Sequence, residues 1–207
     1  MLIQQTVKDF LGKMADGALV PDGGSVSALN GAIAAALTER VARLTIGKEG
    51  YEEVEGQMRT IATEADTIRE QLLAYVDRES EASLRLDKAS ALPCGSEEER
   101  TAREREIQAA TRNAALVALR VAYEVGTVME TIIYVAHKGY QPALPEACVA
   151  MMSARTCVFA ALLRVETYLL SIRDEAFVAR TREEVEKLKE NTARVERKLA
   201  DWMSMRI

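Results

Sequence analysis

The chain has 207 residues, 48% of them hydrophobic and 29% charged, and a net charge of −5. That is enough for one globular domain with its own core, and the acidic balance argues against a nucleic-acid binder held by phosphate contacts. Three cysteines (Cys94, Cys148, Cys157) at no metal-type spacing, with a single histidine, leave no expectation of a metal site.

Alanine, glutamate, arginine, leucine and valine dominate, which is an all-helical composition. Residues 2–15 read as one amphipathic helix with Ile3, Val7, Phe10, Leu11 and Met14 on one side. This start has neither the basic residues nor the apolar core of a signal peptide. A tight loop follows, Pro21-Asp22-Gly23-Gly24-Ser25, in which proline fixes its own φ and the glycines permit unusual backbone angles. The next helix is expected directly after it. Val26, Leu29, Ile33, Leu37, Val41 and Leu44 form its stripe, and Ala28, Gly31, Ala32, Ala35 and Ala36 are small enough to let neighbouring helices approach. No charge occurs from Gly23 to Thr38, so the helix should be buried, yet the run is shorter than the ~20 residues that span a bilayer. A glycine turn feeding a helix start offers free N–H groups to an anion or polarised oxygen. It also serves as a plain turn capped by Asp22 or Ser25.

A long helix is predicted from about Tyr51 to Lys88. Val54, Met58, Ile61, Ala65, Ile68, Leu72 and Tyr75 alternate steps of four and three, and continuing the stripe reaches Glu79. A carboxylate on a buried stripe is costly unless paired or protonated, and burial raises its pKa. That is one way to prepare a general acid or base. The alternative is a carboxylate satisfied by an arginine near the bundle end. Pro93-Cys94-Gly95 breaks the chain, and Ser96 with Glu97, Glu98 and Glu99 reads as a cap and acidic first turn. A second long helix runs to about Lys138, where His137 has a structural reading at the helix end.

After the turn at Gly139-Tyr140-Gln141-Pro142, a fifth helix spans about Leu144 to Ile172, apolar nearly all round and therefore central. Arg155 and Arg164 on it are both candidates to offset Glu79 or to hold an anionic ligand. A last amphipathic helix covers about Asp174 to Met203. The fold class is thus all-α, a single domain over 1–207 built as an antiparallel bundle of about six helices. Helices as long as the third and fourth suggest a dimer. A cytoplasmic protein with free thiols, and with no membrane partner, is expected.

The segment Pro-x-Gly-Gly-Ser, the small-residue helix and Leu44-Thr45-Ile46-Gly47-Lys48 together resemble the cyclodeaminase/cyclohydrolase family, whose pattern can be laid over nearly the whole chain. That family includes methenyltetrahydrofolate cyclohydrolases and the cyclodeaminase domain of formiminotransferase-cyclodeaminase. The resemblance implies a homodimer that works on a tetrahydrofolate derivative and requires no metal or redox cofactor. It places Glu79 where the family has an aspartate thought to act in catalysis. It makes the 21–25 loop (Asp22, Gly23, Gly24, Ser25) a source of backbone donors for substrate. Lys48 becomes a candidate contact for the folate glutamate tail.

The departures from the family pattern cluster where folate would be held. Asp22 replaces a glycine, Glu79 the aspartate, Ser83 a phenylalanine and Ala91 a lysine. Tyr140 replaces an asparagine, Pro145-Glu146 a Ser-Asp pair, and Arg164 and Tyr168 two asparagines. Tyr140, Glu146 and Arg164 therefore join the candidate substrate contacts. Three readings follow: a folate cyclohydrolase or cyclodeaminase with a modified site, a retained pocket with another substrate, and a non-catalytic helical scaffold. The first two require the 21–25 loop and Glu79 to converge. The third requires that they do not, with Tyr140 and Tyr168 filling the old site.

Overall fold

The computed structural model describes residues 1–205, and helices are the regular secondary structure among them. In chain order they are α1 (Val7–Ala15), α2 (Gly23–Thr45), α3 (Glu52–Ser90), α4 (Glu97–Lys138), α5 (Leu144–Leu169) and α6 (Glu175–Ser204). Short 3-10 turns cover Leu2–Gln4 and Gln141–Ala143. Side-chain pairs set the directions. Ser25 meets Ser80 and Glu39 meets Arg69, so α2 and α3 are antiparallel. Ser27 meets Cys157 and Arg40 faces Glu146, so α2 and α5 are antiparallel as well. Contacts from α4 to α6 climb together, Arg112 to Asp174, Tyr123 to Glu184 and Glu130 to Arg194, so this pair is parallel.

The expected single helix over 2–15 is two pieces. Thr6 interrupts it as the N-cap of α1, accepting from Asp9 N. The Leu2 amide donates to Asp77 of α3. Only Leu2 and Phe10 are buried in this segment, while Val7, Leu11, Ile3 and Met14 stay exposed.

Helix α2 is buried, but of the predicted stripe only Val41 lies on its inner face. Ala28, Gly31, Ala32, Ala35, Thr38 and Ala42 face inward, whereas Val26, Leu29, Leu37 and Leu44 are half-buried and Ile33 is exposed. The reason is close approach. A Cβ at Gly31 would lie 2.6 Å from Val125 Cγ2 and 3.0 Å from Cys157 Sγ. Side chains of α4 and α5 press against the α2 backbone at Gly31 and leave no room for a side chain there. Gly47, with φ +71°, ends α2 in the left-handed conformation expected of a glycine past a helix C-terminus.

In α3 the stripe holds: Met58, Ile61, Ala65 and Leu72 are buried, with Val54, Ile68 and Tyr75 packed against the core. A capping box of Ser96 and Glu99 opens α4. His137 stacks on Trp202 of α6, ring centroids 4.2 Å apart, in keeping with its structural reading. Inward, α5 buries Ala147, Ala150, Ala154, Cys157, Val158, Ala161 and Leu162. By length and hydropathy Gln141–Leu169 would also pass as a membrane span; a core helix passes the same test, and the inner face of this one is buried in the bundle. Its outer face is not covered: Val149, Met152 and Leu163 are 50%, 67% and 64% exposed.

Candidate active site

Helix α2 starts at Gly23, three residues before the stripe suggested, because Asp22 is its N-cap. Asp22 Oδ1 accepts from the amides of Gly24 (3.0 Å) and Ser25 (3.2 Å). Two of the free donors expected of this loop are thus already used by its own aspartate. The glycines are not there for unusual backbone angles either, since neither has a positive φ. At Gly24 the requirement is space. A Cβ there would stand 2.3 Å from Glu79 Oε2 and 2.9 Å from Arg164 Cζ.

Glu79 lies inside the bundle, its side chain 2% exposed, as its place on the stripe predicts. Arg164 from α5 reaches across it. Arg164 Nη2 is 3.1 Å from Asp22 Oδ2 and 3.5 Å from Glu79 Oε2. The same nitrogen donates to the Tyr168 hydroxyl at 2.7 Å and to Ser83 Oγ at 3.3 Å. Ser83 Oγ in turn donates to Asp22 Oδ2 at 2.7 Å. Glu79 Oε2 has no hydrogen-bond partner although it is buried. Burial pushes the Glu79 carboxyl up to about 7, with the Arg164 charge pulling it down and Asp22 adding to the rise. Burial likewise raises the Tyr168 phenol.

One of the two candidate arginines is therefore the partner of Glu79. Arg155 turns to Glu196 of α6 instead, at 2.8 Å. Ser25 is buried in a structural bond, its Oγ donating to the Val76 carbonyl at 3.0 Å. Gly23 begins the helix beside the Arg164 guanidinium. Asp22, Gly23, Gly24, Ser25, Glu79 and Arg164 thus converge, and Ser83 and Tyr168 complete the cluster. Those two were visible in the sequence only as departures from the family pattern.

The other candidates lie elsewhere. Lys48, Tyr140 and Glu146 gather at the C-terminal end of α2, whose 23 residues put about 33 Å between its ends. Lys48 Nζ is 5.0 Å from the Tyr140 ring centroid, Tyr140 meets Tyr51 edge-on at 6.0 Å, and Glu146 faces Arg40 at 3.7 Å. Within one chain these residues cannot touch a ligand held at Glu79 unless that ligand spans the helix. Within the chain the candidates thus form two groups, one at each end of α2. A separate apolar cavity of about 180 Å³ lies under the N-terminal segment, walled by Leu2, Phe10, Leu29, Leu73 and Val76, and Glu79 is not on its lining. Among the described residues no three His, Cys, Asp or Glu side chains come together as metal ligands would.

The fold and the site are thus those of an all-helical bundle that holds a buried carboxyl beside a capped helix start. The chain belongs to the formiminotransferase-cyclodeaminase family, whose model matches residues 6–187. It is 33% identical over 184 residues to the methenyltetrahydrofolate cyclohydrolase of Methylorubrum extorquens, an alignment covering 89% of this chain and 88% of that protein. It is 28% identical over 187 residues to the formimidoyltransferase-cyclodeaminase of Mus musculus, of which it spans 35%. The crystal structure of formiminotetrahydrofolate cyclodeaminase from Thermotoga maritima superposes with a TM-score of 0.87 at 25% identity, covering 97% of this chain and 96% of that one.

Proposed function

We propose that this protein is an enzyme of folate one-carbon metabolism that hydrolyses methenyltetrahydrofolate to 10-formyltetrahydrofolate, with Glu79 as the acid–base group. The observation that carries this is a carboxyl buried to 2% exposure and titrating near 7, at the start of α2. It is supported by 33% identity to a cyclohydrolase over nearly the full length of both chains. The related cyclodeamination of a formimino group centres on the same carbon and could use the same carboxyl.

The reaction suits the environment. Glu79 in its carboxylate form takes a proton from water as the water oxygen adds to the cationic methenyl carbon. The products of that step are a neutral acid and a neutral tetrahedral adduct, so an ion pair buried in low dielectric is discharged. The protonated Glu79 then gives its proton to the leaving nitrogen as the carbon–nitrogen bond breaks. The adduct's hydroxyl loses its proton to form the formyl carbonyl, and one proton is released overall. A carboxyl with a pKa close to the working pH is suited to both transfers. Water addition to a carbon that is already cationic is chemistry a carboxylate can assist by itself.

A homodimer belongs to the same reading. At helical spacing Val149, Met152, Thr156, Leu163 and Thr167 line the side of α5 opposite the core, with no charged residue among them, and Ile33 of α2 is also exposed. An apolar helix face with no charge to match is complementary to a second copy of itself, as a two-fold interface requires. The test of the activity is the decay of methenyltetrahydrofolate absorbance. Acceleration by the protein that Glu79→Gln loses supports the reading, and an unaccelerated decay at high protein concentration overturns it.

A further inference from the structure

Glu79 cannot be reached as the protein stands. Its side chain is 2% exposed, while the Arg164 and Asp22 side chains over it are 21% and 22% exposed. The group that covers it is a planar, delocalised N–C–N cation. The methenyl unit of the proposed substrate is also a planar, delocalised N–C–N cation.

We propose that the guanidinium of Arg164 occupies the seat of the substrate's amidinium unit, and that a ligand reaches Glu79 by taking that seat as the arginine swings out. Three observations carry this. First, the seat is shaped to a flat group: the bare Gly24 Cα faces the guanidinium carbon so closely that a Cβ would come within 2.9 Å of it. Second, Arg164 is held over Glu79 by a 3.5 Å ion pair but makes no hydrogen bond to it. Its hydrogen bonds go to Tyr168 and Ser83 and its nearer ion pair to Asp22, whereas Glu79 Oε2 and Arg164 Nε are both buried with no hydrogen-bond partner. Third, the charge balance favours a cation over an anion as the intended ligand. With Arg164 in place its charge is already answered by Asp22 and Glu79. With Arg164 withdrawn, Asp22 and the Glu79 carboxyl are left without that positive charge, and a cation arriving there favours the carboxylate form of Glu79. The geometry thus makes Arg164 a specificity-determining residue: the seat admits flat cations that can outcompete a tethered guanidinium.

The inference deepens the folate reading, and its test is chosen so that the two can fail separately. Formamidinium chloride, the smallest flat N–C–N cation, is titrated by calorimetry into wild type, Arg164→Ala and Arg164→Ala combined with Glu79→Gln, with tetramethylammonium as the non-planar control. Folding of each is checked by circular dichroism, and Arg164→Asn replaces the alanine variant if that one does not fold. The expected result is formamidinium binding at least tenfold tighter in the arginine variant than in wild type. Tetramethylammonium should show no such gain, and Glu79→Gln should remove it. Equal formamidinium binding by wild type and the arginine variants, or a gain that Glu79→Gln leaves intact, overturns the proposal. In the methenyltetrahydrofolate assay Arg164→Asn should raise kcat/KM about tenfold, through a lower KM. A formamidinium gain with no folate turnover by any variant would keep the seat and refute the folate reading. Folate turnover with no formamidinium gain would do the reverse.

Discussion

Replacing Glu79 by glutamine should turn the pH dependence of stability into a direct reading of its burial. In the folded protein the carboxyl titrates at about 7, against an ordinary 4.5. Between those values the folded chain holds a proton that the unfolded chain has released. The contribution of Glu79 to stability is therefore full below about pH 4.5 and is lost as the pH rises through 7. Each pH unit between the two values is worth about 1.36 kcal/mol, so the whole effect is roughly 3.4 kcal/mol, of which about 2.5 kcal/mol falls between about pH 5 and pH 8. Glutamine keeps the shape and does not titrate. All other ionisable groups are common to both proteins, so the difference between their unfolding free energies isolates the one carboxyl. Urea unfolding across this range should show the wild type losing about 2.5 kcal/mol relative to Glu79→Gln as the pH rises. Any constant offset from the exchange of oxygen for nitrogen does not matter. A difference that stays flat, or that moves in favour of the wild type with rising pH, would refute the claim that burial outweighs the Arg164 charge.

Two glycines test the packing argument against each other. Gly24→Ala should cost roughly 1–3 kcal/mol and most of the activity, because its Cβ would stand 2.3 Å from Glu79 Oε2. Gly56→Ala, in an exposed part of α3 with nothing within 4 Å of the new methyl, should stabilise by about 0.5–1 kcal/mol, both read from thermal or urea unfolding. Leu163→Glu places a charge on the outer seam of α5 and should convert the proposed dimer to a monomer by light scattering, with the helical circular dichroism signal unchanged.

The sequence carried much of this site because burial on a helix is periodic. Glu79 was visible as a carboxylate in register with Leu72 and Tyr75, and the structure buries it. The same logic misread most of α2, where Val41 alone of the large stripe residues lies on the inner face. There the decisive quantity is the distance between helix axes, and small residues on one face signal it more reliably than large ones on another. The choice between Arg155 and Arg164 was open for a related reason. Both lie on a helix apolar on two sides, and only the placement of α2 and α6 around α5 tells which arginine meets α3. Lys48, Tyr140 and Glu146 were grouped with Glu79 by resemblance, and nothing local in the sequence says that α2 separates them by its full length.

The pH profile of turnover joins the acid–base claim to the seat. The pKa seen in kcat/KM belongs to the free enzyme, so with Glu79 required as carboxylate the wild-type value should rise with pH and level off above about 7. In the free enzyme Arg164 lowers that pKa by standing 3.5 Å from the carboxyl. Arg164→Asn takes the positive charge away and leaves the burial, so the inflection should move to higher pH even as the plateau rises. The two effects have one cause, the departure of a cation that both blocks the seat and favours the carboxylate. An arginine whose charge did not act on Glu79 would leave the inflection where it was, whatever happened to the plateau. Measured between about pH 6 and pH 9, with the spontaneous hydrolysis subtracted at each pH, an unmoved inflection in Arg164→Asn would separate Arg164 from the chemistry of Glu79.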